Sequence, residues 1–490
     1  MNQKTFKMRP VVAVATLGIA AMGLSACNLA PTSQVPAMPV PTVVSSSAQG
    51  QSAAPSEAAQ QYVQTQTWIQ NPQLQAVVAL ALSHNRDLRV ALQNIEKARA
   101  QYGITRADLL PSITAQAQGT RSRTAADLSG NAQASINEQY TAQLGFASYE
   151  IDFWGRIRNL NEASLQAFLQ SEDNQRNVQI GLVADVSSAW LTLAADLARW
   201  QLAQDTLASR EKAYALTQRM FELGATSGLV LAQNLSTVEA ARADVAAYTV
   251  QAERSRNALQ LLVGSTLPAA LLPTAQTLVQ AQAANAALLP VPQNLPSSAL
   301  LARPDVQAAE RNLRAMDANI GAARAALFPS ISLTGSVGTG SRELDQLFGS
   351  GNGTWSWMPQ IKLPIFDGGR LRAAVEVAQA NQRIAVAQYE KTLQTAFKEV
   401  ADVLAERSQW GQRLGAQERM VQATHQAFDL SNARFQAGVD NYLTVLDAQR
   451  SLYAAQQTLI GLRLSEQVNR VTLWKALGGR EAVVAEAPAQ

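Results

Sequence analysis

Leu109-Leu110-Pro111-Ser112-Ile113 recurs 218 positions later as Leu327-Phe328-Pro329-Ser330-Ile331. Asn94 and Asn312 keep the same offset, as do Arg106 and Arg324. Further along the offset is 214. Gly155-Arg156-Ile157-Arg158 then matches Gly369-Arg370-Leu371-Arg372, Phe221 and Gly224 match Phe435 and Gly438, and Gly264 matches Gly478. One offset held over more than a hundred residues marks an internal duplication, with a loop shorter by four in the second copy.

Each copy follows one plan. A helical segment stops at Leu-Pro-Ser or Phe-Pro-Ser, because proline and the residue before it resist helix continuation. Alternating stretches predict strands over 112–119 and 139–153, then 330–337 and 354–366. Ile113, Ala115 and Ala117 oppose Ser112, Thr114 and Gln116, and Trp355, Trp357 and Ile361 share one parity. Polar loops, 120–138 and 338–353, join the strands. Two proline-free stretches, 155–224 and 369–438, follow. As single helices each would reach roughly 100 Å at about 1.5 Å per residue. Return helices are expected over 228–264 and 442–478. In the second, apolar pairs recur every seven residues: Val445/Leu446, Leu452/Tyr453, Leu459/Ile460 and Leu473/Trp474. Glu466/Gln467 is the one break. Such a doubled seam predicts supercoiled packing against two neighbours.

The N-terminus reads as a leader. Lys4, Lys7 and Arg9 precede an apolar run from Val11 to Leu24, too short to span a bilayer, so 1–26 is read as a signal peptide. Leu24-Ser25-Ala26-Cys27 resembles a bacterial lipobox, making Cys27 the expected lipidation site and mature N-terminus. Asn28, rather than Asp, favours outer-membrane sorting. Residues 27–57 read as an extended tether, 58–300 and 301–480 as the two repeats, and 481–490 as a flexible tail.

Composition narrows the function classes. The 490 residues are 47% hydrophobic but only 6% aromatic and 16% charged, which suits long packed helices better than a sheet-rich enzyme core. Without the leader's three basic residues, 37 cationic side chains face 37 anionic ones. A near-neutral chain does not fit a nucleic-acid partner. One cysteine and two distant histidines, His84 and His425, leave no metal-ligand or disulfide pattern. No nucleophile elbow, phosphate loop, zinc motif or dinucleotide fingerprint is present, so neither an enzyme nor a cofactor is expected.

Four short strands cannot close around a pore, and lipid tolerates no unpaired edge, so membrane strands would require several chains. Three chains give an ordinary twelve. At this point the lipobox, the duplicated Pro-Ser/strand pair, Phe366-Asp367-Gly368-Gly369-Arg370 and the block Gly438–Leu452 resemble the TolC-like outer membrane factors. The likeness is specifically to the OprM-like (NodT-type) efflux lipoproteins. The resemblance implies a mainly α fold with a transmembrane β-barrel portion: a homotrimer with twelve barrel strands, a long α-helical barrel and an equatorial belt. It implies an outer-membrane exit duct set in lipid, joined through a periplasmic adaptor to an inner-membrane pump of the resistance-nodulation-division type. A type I secretion conduit and a pore-free coiled-coil envelope lipoprotein are the rival readings.

The hairpin tips differ between copies. Leu443, Asp447 and Arg450 correspond to Leu229, Gln233 and Ser236, so only the second tip carries charge there. By resemblance, Leu443, Asp447 and Arg450 match positions that close the periplasmic pore, with Asp440 a fourth candidate. The spacing puts the first three on one helix face. The alternative is a surface ion pair, or for Asp440 a helix cap. The tips, with Gly224, Gly438, Phe221 and Phe435, are the expected adaptor-docking points.

Overall fold

The computed structural model describes residues 28–32, 36–45, 69, 71–128, 130, 133–285 and 294–479. The signal peptide, Cys27, half of the tether (33–35 and 46–57) and the 481–490 tail lie outside the described residues. In chain order the elements are β1 (Val43–Ser45), α1 (Pro72–His84), α2 (Arg86–Ala107), β2 (Thr114–Thr124), β3 (Ser135–Ile151), α3 (Arg156–Glu222) and α4 (Gly228–Val263). Then come α5 (Thr277–Asn285), β4 (Asn294–Pro296), α6 (Pro304–Ala325), β5 (Ser330–Ser341), β6 (Gly353–Lys362), α7 (Arg370–Gln436) and α8 (Tyr442–Ala476). Both long helices are continuous over 67 residues.

The strands differ from the sequence expectation at their ends. β2 and β5 run on to Thr124 and Ser341, and β3 starts at Ser135, because antiparallel pairing continues through polar residues that carry no hydrophobic signal. β6 stops at Lys362, since Pro364 has no N–H to offer a ladder. The two hairpins join in one antiparallel sheet of order β2-β3-β5-β6. A bulge between Phe146 and Tyr149 keeps both rings on one face, with Ser148 at φ 54° and its N–H donating to Thr334 Oγ1. Gly338 is required: a Cβ there would lie 2.2 Å from the Ala142 carbonyl oxygen.

The chain forms two compact units that cut across the repeats. Among the described residues, one holds the sheet with those of 28–36, 94–171 and 308–389, and the other holds those of 37–93, 172–307 and 390–479. In the first, aromatic side chains pin both proline turns. Tyr149 donates to the Leu109 carbonyl at 3.0 Å, and Trp154 donates to the Pro329 carbonyl at 2.9 Å while stacking on Phe328. Asp367 starts α7 by accepting from the Gly369 and Leu371 N–H groups. These hydrogen bonds, that from Leu371 foremost, hold its carboxyl below the usual range.

In the second unit the core gathers Val77 and Val78 of α1, Leu182–Ala195 of α3, Leu259 and Val263 of α4, and Val471 and Trp474 of α8. α3 contains a window apolar enough to cross a membrane by composition, just over half of it buried within the protein. The duplication extends to how the return helices end. Asn85 donates to the Leu262 carbonyl at the end of α4; its counterpart Arg303 donates to the Ala476 carbonyl at the end of α8, both at 2.8 Å. Arg303 is also held by Asp305 and Glu399. Burial works against its charge, but these hydrogen bonds outweigh it and raise its pKa.

The heptad break at Glu466/Gln467 is a buried charge cluster. Glu466, 7% exposed, accepts from Arg407 at 2.9 Å and Arg470 at 2.7 Å, and Gln467 donates to its second oxygen. The polar pair therefore stays inside the seam.

Candidate functional site: the strand faces and the hairpin tips

The register divides the sheet into two unlike faces. One carries Ala115 and Ala117 of β2, Leu144, Phe146 and Tyr149 of β3, Val337 of β5, and Trp355, Trp357 and Ile361 of β6. Phe146 and Trp357 meet edge to face at 6.5 Å. Leu144, Val337, Trp355, Trp357 and Ile361 are exposed, Trp355 at 80% and Ile361 at 70%, while Phe146 and Tyr149 are half-buried. The other face is glutamine, serine and threonine: Gln116 beside Gln143, Gln118 beside Thr141, and Ser336 hydrogen-bonded to Ser356 at 2.7 Å. A largely exposed apolar face, backed by a polar one, is the pattern of a barrel wall between lipid and water. Sequence alternation exposed this pattern only over the segments it assigned to strands.

The hairpin tips, in the second unit, share one turn. After α3, Gly224 adopts φ +71° and Ala225 N–H donates to the Met220 carbonyl; after α7, Gly438 adopts φ +75° and Val439 N–H donates to the Arg434 carbonyl. This left-handed glycine closing two reverse bonds is a Schellman cap, and any side chain there would strain it. Ser227 and Asn441 then cap the return helices. The cap at the second tip is thus Asn441 and not Asp440. Asp440 is held by Arg434 through two hydrogen bonds of 2.6 and 2.9 Å.

The Arg434 guanidinium keeps the Asp440 carboxyl below the usual carboxylate range. Because the folded value is depressed, the pair steadies the tip above the ordinary carboxylate pKa and loses that effect as pH falls through the lowered one. Amide exchange across Gly438–Thr444 should therefore accelerate on acidification through that interval beyond its intrinsic pH dependence. Asp440→Asn should exchange quickly throughout. Identical profiles would refute a role for the pair.

The aromatic pair at the tips is not equivalent. Phe435 packs against Tyr442, rings 5.2 Å apart, beside Val445 and Leu446, whereas Phe221 is 45% exposed. Leu223 at 84% and Val439 at 62% are exposed apolar tip residues that the sequence reading passed over, since a turn has no period. Tyr442, Val445 and Leu446 are buried on one side of α8, and Leu443, Asp447 and Arg450 are exposed on the other. The three gate candidates therefore do share a face. Among the described residues, neither Asp447 nor Arg450 makes an ion pair within the chain.

Next to them lies a cluster that sequence reasoning missed. Arg210 of α3, 6% exposed, donates to the Thr237 carbonyl at 2.9 Å and lies 5.7 Å from the Tyr453 ring centre. The Tyr453 hydroxyl donates to Asp244 at 3.2 Å. Burial pushes the Arg210 pKa down, and the nearby Arg450 charge adds to that. These contacts tie α3, α4 and α8 together beside the exposed charged face. No group of three metal-ligating side chains occurs among the described residues; His84 bonds Ser83 and His425 bonds Asp429.

The profile of the outer membrane efflux proteins matches residues 77–265 and 295–479. The chain belongs to that family. It is 44% identical over 434 residues to the toluene efflux pump outer membrane protein TtgC of Pseudomonas putida, covering 88% of each chain. It is 41% identical to outer membrane protein OprJ of Pseudomonas aeruginosa over 89% of this chain and 90% of that one. Among solved structures, the open MtrE outer membrane channel of Neisseria gonorrhoeae matches with a TM-score of 0.76 at 35% identity, over 93% of this chain and 98% of that one. This member of the family is therefore an outer-membrane efflux channel, a pore and not an enzyme, that extends into the periplasm. Its mainly α architecture with few strands is that of the TolC-like channels.

Proposed function

We propose that three copies of this chain form the exit duct of a tripartite efflux pump. The duct passes small molecules from an inner-membrane pump of the resistance-nodulation-division type, through a periplasmic adaptor, to the outside. The observation that carries this reading is the four-stranded sheet: one face is apolar, and β2 and β6 are left as edges. Lipid leaves no backbone group unpaired, so the β6 edge of one copy must pair with the β2 edge of the next. The glutamine and hydroxyl face then lines the lumen, and the ends of the β2–β3 and β5–β6 hairpins face outward.

Cys27 carries the lipid anchor in this reading. The adjoining Asn28 accepts from Asn159 at 3.0 Å, and the Leu29 carbonyl accepts from Arg324 at 3.1 Å. Both donors lie close in sequence to where the chain leaves β3 or enters β5, which suits an anchor near the sheet. The tips at Gly224 and Gly438, with Phe221 and Phe435, dock the adaptor. Leu443, Asp447 and Arg450 close the resting periplasmic end.

The purified protein should run as a heat-labile trimer and give discrete single-channel conductance in planar bilayers. Deleting its gene should sensitise cells to the pump's substrates, and the wild-type copy should restore export. A monomer without conductance would sink the reading in favour of a pore-free envelope lipoprotein.

A further inference from the structure

We propose that the outward rim of β2 is a binding site for the phosphates of lipid A in the outer leaflet. The inference rests on the membrane placement of the sheet given above and goes beyond it. Along the apolar face of β2 the residues read Ala115, Ala117, Gly119, Arg121 and Arg123, opposite Leu144, Ala142, Tyr140, Glu138 and Ile136 of β3. The order is apolar, then aromatic, then basic. Tyr140 lies flat over Gly119, where an added Cβ would meet its ring at 3.0 Å, so the aromatic marks the level just below the arginines. Interface aromatics flank the apolar band of membrane barrels in this way.

The basic pair stands at the hairpin end of the face only. At the other end the same face carries Ile151, Ile331 and Ile361, while Lys362, paired with Ser330, belongs to the polar face. Arg121 and Arg123 are two residues apart on one side of a strand, about 7 Å between their Cα atoms. The Arg121 Nε–H donates to Glu138 at 2.8 Å, which orients its fork while the side chain stays 71% exposed. Arg123 is exposed and has no ion-pair partner among the described residues. Guanidinium groups recognise phosphate through paired hydrogen bonds, and the acyl chains of the same molecule would lie along Ala115, Ala117 and Leu144. A phosphorylated glycolipid whose chains point into the membrane matches both halves of this surface.

The test uses the full-length protein extracted from outer membranes, with native mass spectrometry counting retained lipid A. Removing both cations in Arg121→Gln/Arg123→Gln should lower retention about tenfold, as should offering lipid A stripped of its phosphates to delipidated wild type. Glu138→Gln should raise retention, because it frees the Arg121 fork. Equal retention by wild type and the double variant, or of both lipid forms, would overturn the site. Arg123→Gln alone breaks no ion pair among the described residues and serves if the double variant does not fold. Conductance and trimer content are read on the same preparations. A conducting trimer indifferent to phosphate sinks this inference alone, whereas loss of the wild-type trimer sinks the membrane placement beneath it.

Discussion

Glu466→Leu should destabilise the helical unit by about 3–5 kcal/mol, the range for breaking a buried ion pair on one side. The glutamate is 7% exposed and is shared by Arg407 and Arg470, themselves 16% and 19% exposed. Removing it leaves two cations facing one another in the α7–α8 seam with the Gln467 amide. The penalty is chiefly the desolvated charge left behind. Replacing Arg407, Glu466 and Arg470 together by leucine should therefore recover much of the loss. Denaturant midpoints of the single and the triple variant check this. A triple variant as unstable as Glu466→Leu would mean that packing volume, not charge, governs the site.

Neutralising Asp447 or Arg450 should raise the resting conductance and admit large antibiotics without the pump, and the change should be confined to the second hairpin. Leu443, Asp447 and Arg450 present one exposed face of α8. Three copies of Asp447 around one axis would repel, and among the described residues neither charge makes an ion pair. In the proposed closed ring, Arg450 of the same or a neighbouring copy would supply the compensation. An exposed pair is worth only about 0–1 kcal/mol, which suits a closure that adaptor docking must reverse. In the first hairpin, Ser236 bonds its own backbone at Gln233, and both side chains are uncharged. Gln233→Ala/Ser236→Ala should therefore change conductance little. Equal leak from both hairpins, or none from the second, would refute the asymmetric gate.

Asp440 shows where spacing stops being informative. It stands in the turn beside the gate candidates, yet its carboxylate is committed to Arg434, six residues earlier on the preceding helix. A turn reverses the chain, so proximity across it depends on rotamers that no period encodes. Phe221 and Phe435 match by offset and diverge in environment, because Tyr442 follows one tip and Gly228 the other. Arg210 gave no sequence signal. Its partners Thr237, Asp244 and Tyr453 come from two other helices, and nothing local distinguishes it from a solvated arginine.

What the amino-acid sequence determined by itself is everything that repeats or alternates locally: the duplication, the proline stops, two helices of 67 residues, the glycine turns and the apolar parity of the strands. Each follows from backbone sterics or from one-dimensional periodicity, so a window of residues suffices. Only the tertiary structure decided that both hairpins join in one sheet, that the compact units draw on both repeats, and that Glu466 belongs inside. Those outcomes depend on partners tens to hundreds of residues away. Burial of a charge is favourable only when such partners arrive together, and that condition has no local trace.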